Sequence, residues 1–136
     1  MLKYLLDTNI VIYVIKNRPL SVLKTFNRNQ GRMAISSITL AELAHGVEKS
    51  SNPARNMSVV EDFVSRLEVL PYDERAAWHY GLIRTAVERQ GTPIGVNDVH
   101  IAGHARSLGL VVVTNNLREF ERVPGIIVEN WVEAIV

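Results

Sequence analysis

The stretch KYLLDTNIVIY, residues 3–13, decides how the rest of the chain is read. An apolar run, Tyr4-Leu5-Leu6, stops at Asp7. Thr8 and Asn9 follow, and the chain turns apolar again at Ile10. A short apolar run, a polar break and a renewed apolar segment describe a buried strand that turns into a helix. The alternation recurs downstream. LSVLKTFNRN (20–29) reads as a helix set off by Arg18-Pro19 and stopped by Gly31. RMAISS (32–37) reads as a second strand. TLAELAHGVEKS (39–50) is helical, with Leu40, Leu43, Ala44 and Val47 on one stripe. Pro53 opens a further helix with Val59, Val60, Phe63, Val64 and Leu67 as its apolar face. LEVLPY (67–72) is a third strand, and residues 73–90 and 97–109 are helices, with Trp78 expected in the core. LVVVTNN (110–116) is a β-branched run without alternation, the mark of a strand covered on both faces. GIIVENW (125–131) gives a last short strand.

Strands alternating with helices predict a single α/β domain, residues 1–136, with a mostly parallel central sheet flanked by helices. The 136 residues suit one domain, and 47% hydrophobic with 21% charged residues suffices for a core. A formal net charge of +1 means that any nucleic-acid surface must be a local patch. The chain has no cysteine, which excludes disulfides and thiolate metal sites and fits a cytoplasmic location. No run of 18 apolar residues and no cleavage site is seen, so no membrane association is expected.

In a parallel sheet, ligands sit outside the carboxyl ends of the strands. Asp7 lies at such an end. Glu42 falls in the helix after strand two, Asp98 opens the helix before strand four, and Asn116 and Glu119 follow strand four. Gathered into one cleft, these carboxylates would repel each other unless protonated or neutralised. Mg²⁺ or Mn²⁺ would remove the conflict, and the matching chemistry is metal-assisted phosphodiester hydrolysis. Each residue also has a simpler reading. Asp7 can cap the following helix. Glu42, three after Thr39, fits a capping box. Asp98 in a first turn complements the helix dipole.

LLDTNI, SSITLAEL, IGVNDVHIAGHA and LVVVTNNLREF resemble, in order, the four signatures of the PIN-domain nucleases. The chain is most similar to VapC toxins of bacterial toxin–antitoxin modules, of the enterobacterial type, over essentially its whole length. The resemblance implies that Asp7 and Asp98 are metal ligands and that Glu42 joins them directly or through water. Thr8 or Asn9 would orient the ligand or a phosphate. Many members carry a fourth acidic residue two places after the strand-four threonine, here Thr114. This chain has Asn116 there, and Glu119 is the candidate replacement. Thr114, Asn116 and Arg118 would shape the site.

The resemblance further implies a Mg²⁺- or Mn²⁺-dependent endoribonuclease, the toxin of a type II module, cutting structured RNA. Transfer RNA is the expected substrate, with the initiator tRNA anticodon loop the leading candidate. It also implies a VapB-type antitoxin, operator DNA bound only through the antitoxin complex, and a toxin homodimer. The rival readings are a catalytically inactive PIN-fold binding protein, suggested by Asn116, and a haloacid-dehalogenase-type phosphatase. The latter needs a second aspartate where Asn9 stands.

Basic residues that can meet RNA phosphates include Arg84, Arg89, Arg106, Arg118 and Arg122, and Tyr13, Trp78 and Tyr80 can stack a base. His100 and His104 have zinc-ligand spacing, but Ile101 stands where an HExxH motif needs Glu, so they read as packing or hydrogen-bonding histidines. Gly91, Gly95 and Gly103 form no phosphate loop, and Gly103 reads as a close-packing glycine.

Overall fold

In the computed structural model, which describes residues 1–132, Tyr4–Leu6 forms strand β1 and Thr8–Ile15 the helix α1 that follows it. The order continues α2 (Leu20–Arg28), β2 (Met33–Ser36), α3 (Ser37–Glu48), α4 (Pro53–Val64), β3 (Glu68–Leu70) and α5 (Glu74–Arg89). It ends α6 (Val96–Leu108), β4 (Val111–Val113), α7 (Leu117–Phe120) and β5 (Val128–Glu129). The last four residues of the expected 1–136 domain lie outside the described residues.

The sheet is parallel at every described pairing, in the order β3-β2-β1-β4-β5. Side chains alternate across it. Tyr4, Leu6, Met33, Ile35, Val111 and Val113 enter one core, and Leu5, Ala34 and Val112 the other. Helices α1–α4 cover the first face with Ile10, Val14, Phe26, Leu43, Val47 and Phe63. Helices α5 and α6 cover the second with Ile83, Val87, Ile101, Ala102 and Ala105. Both faces are therefore apolar, which is why the central strands show no polar alternation. The Phe26 and Phe63 rings stack at 5.7 Å between centroids, an arrangement that adds about 0.5–1.5 kcal/mol beyond area burial.

The chain winds from β1 to β2 and β3 on one side, then returns to place β4 on the other side of β1. The winding reverses between β1 and β4, and the crevice at their carboxyl ends is where such sheets bind ligands. Asp7 leaves β1 there and Thr114 leaves β4. The Asp7 amide donates to the Val113 carbonyl at 3.0 Å and so extends the ladder to the rim of the crevice.

One expectation is corrected here. Trp78 is not core but 72% exposed. The buried stripe of α5 is Ala76, Ile83 and Val87, and Trp78 and Leu82 fall on the opposite side. The single turn α7 was not anticipated, because four residues are too few to display a helical period.

Gly103 is a close-packing glycine, as its sequence context suggests. A Cβ there would lie 2.8 Å from the Tyr80 amide nitrogen and 3.2 Å from the Ala76 carbonyl. The backbones of α5 and α6 touch at this point and neither can yield cheaply. Gly103→Ala is expected to cost about 1–3 kcal/mol, read as a lower urea midpoint with unchanged slope. A midpoint equal to wild type would show that the helices can separate without penalty.

Candidate active site

Asp7 is 3% exposed, and both of its carboxylate oxygens are engaged. Oδ1 accepts the Ile10 amide at 3.0 Å, so the residue does cap α1. Oδ2 accepts the Thr114 hydroxyl at 2.5 Å. The Thr114 oxygen in turn accepts the Asn116 amide at 2.8 Å. Burial pushes the Asp7 carboxyl above its ordinary value, against the lowering effect of the hydrogen bonds from Thr114 and Ile10. The capping and the cleft-facing readings of Asp7 therefore hold together.

For Glu42 the capping reading fails. The N-cap of α3 is Ser36, whose hydroxyl accepts the Ile38 amide at 3.1 Å, and the buried Thr39 hydroxyl makes no hydrogen bond among the described residues. Glu42 lies one turn further on, where its Oε1 accepts the Thr8 hydroxyl at 2.8 Å. Thr8 thus stands between two carboxylates, adjacent in sequence to one and bonded to the other.

Asp98 lies in the first turn of α6, behind an N-cap, Gly95, that has no side chain to offer. Its carboxyl is pushed up to about 7, first by burial, then by a hydrogen bond shared with Glu119 and by the charges of Asp7, Glu119 and Glu42. Asn116 explains how this corner tolerates its carboxylates. Its Nδ2 donates to Glu119 Oε2 at 2.9 Å and, more weakly, to Asp98 Oδ2 at 3.5 Å. An aspartate at 116 would add a further negative charge in the same place; the amide instead bridges two.

Asp7, Thr8, Asn9, Glu42 and Asp98 line one open cleft of about 480 Å³. Glu119 and Asn116 are tied to it through Asp98. Arg118 is exposed and does not line the cleft. Two residues that do, His45 and Lys49, escaped the sequence reading. The only signal for them was their spacing of three and seven from Glu42 on one helical face. Among the described residues no three acidic or histidine side chains already stand as a metal-holding set. The donor chemistry nevertheless fits a hard divalent cation. The oxygens are carboxylate and amide, and the raised Asp98 carboxyl, beside the charges of Asp7, Glu119 and Glu42, marks where positive charge is needed.

The histidines of α6 are hydrogen-bonded, as expected. His104 Nδ1 lies 2.8 Å from the Ser36 hydroxyl, fully buried, and His100 Nδ1 lies 2.8 Å from the Tyr72 hydroxyl. Burial lowers the pKa of both.

The sequence profile of the PIN domain matches residues 4–126. The chain is 61% identical over 132 residues to "Ribonuclease VapC2" of Haemophilus influenzae, a match covering 97% of this chain and 100% of the relative. It is 62% identical over 131 residues to "tRNA(fMet)-specific endonuclease VapC" of Salmonella typhimurium, covering 96% and 99%. Among solved structures, DNA-bound VapBC from Salmonella typhimurium superimposes with a TM-score of 0.93 at 61% identity, covering 97% of this chain and 100% of the other. VapBC2 of Rickettsia felis, bound to a DNA fragment from its promoter, gives 0.90 at 41%, covering 96% and 100%.

The raised Asp98 carboxyl has a consequence for stability. Between its unfolded value of 3.8 and about 7, the folded chain holds more protons than the unfolded chain. The associated stability is present in full below pH 3.8 and is lost as pH rises through about 7. Asn at this position cannot ionise. In EDTA at pH 8, Asp98→Asn is expected to melt about 2–5 °C above wild type, with the gap closing by pH 4. An equal or lower melting point at pH 8 would refute the raised Asp98 carboxyl.

Proposed function

The chain belongs to the PIN-domain family, and from that premise we propose that it is a VapC-type toxin, an endoribonuclease of a toxin–antitoxin pair. The observation that carries the proposal is the meeting of Asp7, Glu42 and Asp98 in one cleft at the switch point of the sheet. The relatives named ribonuclease and tRNA(fMet)-specific endonuclease match nearly the whole chain. The name tRNA(fMet)-specific endonuclease supports initiator transfer RNA as the substrate, and the anticodon loop as the cut site is part of the same proposal. Three solved relatives are VapBC complexes, two of them on DNA, which supports a VapB-type antitoxin as partner and operator DNA as a target of the complex. A toxin homodimer and a cytoplasmic location belong to the same reading. No helix among the described residues is long and apolar enough to cross a membrane.

In this reading Asp7, Glu42 and Asp98 would hold Mg²⁺ or Mn²⁺, with Glu119 in support. Such a cation supplies Lewis acidity toward the phosphoryl oxygen and lowers the pKa of a water. The protein's own part is positional. Thr114 and the Ile10 amide fix the two oxygens of Asp7, so its carboxylate cannot swing out of the cleft. Thr8 holds Glu42 toward it. Asn116 holds Glu119 beside Asp98, whose raised carboxyl can accept or release a proton as charge in the cleft changes. Asn9, exposed at the rim, is placed to meet a phosphate or ribose. The inactive-protein reading leaned on Asn116. That residue bridges the acidic corner and leaves the other carboxylates facing the cleft, so it lends no support to a dead site.

The test uses the purified chain, freed of partner, with total bacterial RNA and Mg²⁺ or Mn²⁺, and cut ends mapped by sequencing. Discrete cuts are expected, abolished by EDTA and restored by added metal. Asp7→Asn and Asp98→Asn should each lose roughly 10³-fold or more in rate while retaining a cooperative melt. A variant that cuts at the wild-type rate would sink the assignment of its residue. Wild-type chain that never cuts in metal would sink the nuclease.

A further inference from the structure

An RNA strand brings one negative charge per nucleotide to a cleft already walled by carboxylates. Binding there needs positive charge from the protein within reach of the neighbouring phosphates. None of the five arginines favoured by sequence lines this cleft. Arg84 is held by Tyr80 and Glu88, and Arg106 by His79 and the Pro124 carbonyl. Arg89 lines a separate depression with Trp78 and Leu82. Among the described residues, Lys49 is the lysine or arginine that lines the acidic cleft itself, while Lys16 lines the adjoining groove that shares Thr8, Glu42 and Gly46.

Its placement follows from α3. Glu42, His45, Gly46 and Lys49 are spaced three, four and seven apart, which puts them on one face of the helix, and all four line the cleft. At a rise of 1.5 Å per residue, Lys49 sits about 10 Å along the axis from Glu42. Between them, a Cβ at Gly46 would meet nothing within 4 Å, so the wall there is bare backbone beside open space. Lys49 is exposed, and its ammonium forms no ion pair among the described residues, unlike Arg66 with Asp62 and Arg84 with Glu88. Asn97 adds a neutral amide to the same cleft.

We infer that Lys49, with His45 beside it, forms a phosphate subsite at the far end of the cleft, binding the RNA strand next to the cut phosphodiester. The strand runs along the α3 face, from the carboxylates past Gly46 to Lys49. The subsite deepens the nuclease reading and rests on it for the identity of the strand.

The test measures binding and cutting separately, on a fluorescein-labelled initiator tRNA anticodon stem-loop in Mg²⁺ at several salt concentrations. Anisotropy reads binding and gel analysis reads cleavage. Lys49→Ala is expected to bind about threefold to tenfold more weakly, with the change falling more on KM than on kcat. Its slope of log affinity against log salt should shrink by about 0.7–0.9, the loss of one phosphate contact. Lys49→Arg should restore the slope. Lys24→Ala, which removes the same charge from α2, should leave it alone. A Lys49→Ala slope equal to wild type, or an equal loss in Lys24→Ala, overturns the subsite. RNA that binds with a Lys49-dependent slope but is never cut leaves the subsite standing and overturns the nuclease reading instead.

Discussion

The hydrogen bond from the Thr114 hydroxyl to Asp7 joins residues 107 apart in sequence and one strand spacing apart in space. Much of the architecture serves it. The parallel pairing of β1 with β4 sets Leu6 against Val113, so the next residue of each strand meets at the crevice. Buried layers on both faces keep those strands from shifting, since a one-residue slip would drive every core side chain to the wrong side. A buried carboxylate is unfavourable unless its oxygens find donors. Thr114 and the first turn of α1 are those donors, and both come from elements that the sheet fixes.

The second constraint is repulsion. Burial first, then a hydrogen bond with Glu119 and the charges of Asp7, Glu119 and Glu42, push the Asp98 carboxyl up to about 7. Neutral donors spread through the site answer part of this charge: the Thr8 hydroxyl at Glu42 and the Asn116 amide between Asp98 and Glu119. They moderate the field without cancelling it. What remains is an appetite for cations that suits a hydrolytic metal site. It also obliges the protein to offer a positive group further along the cleft to any polyanion it admits.

Much of this was legible in the residues. The strand-to-helix break at Asp7, the helices and the alternation that implies a parallel sheet all follow from apolar periodicity and from Gly and Pro. Position alone left Asp7, Glu42 and Asp98 open to capping roles, and their match to the signatures of the PIN-domain nucleases is what raised them as site residues. What stayed hidden depends on rotation about helix axes and on contacts between distant segments. Trp78 looked buried because α5 is apolar on more than one side, and only its packing against α6 decides which side turns inward. The capping box at Thr39 was a false match because α3 begins at Ser37, after the Ser36 cap. Asn116 read as a missing carboxylate, and its role as a bridge needed the positions of Asp98 and Glu119.

The ends of the sheet carry a consequence of another kind. β3 is three residues long and β5 only two, and each edge bears a glutamate, Glu68 and Glu129. A long, flat, uncharged edge invites another chain to add a strand and so seeds aggregation. These edges offer little length to copy and a charge that discourages the attempt. The hydrophobic interior that organises the crevice is thereby kept from becoming a template for fibrils when the chain stands alone.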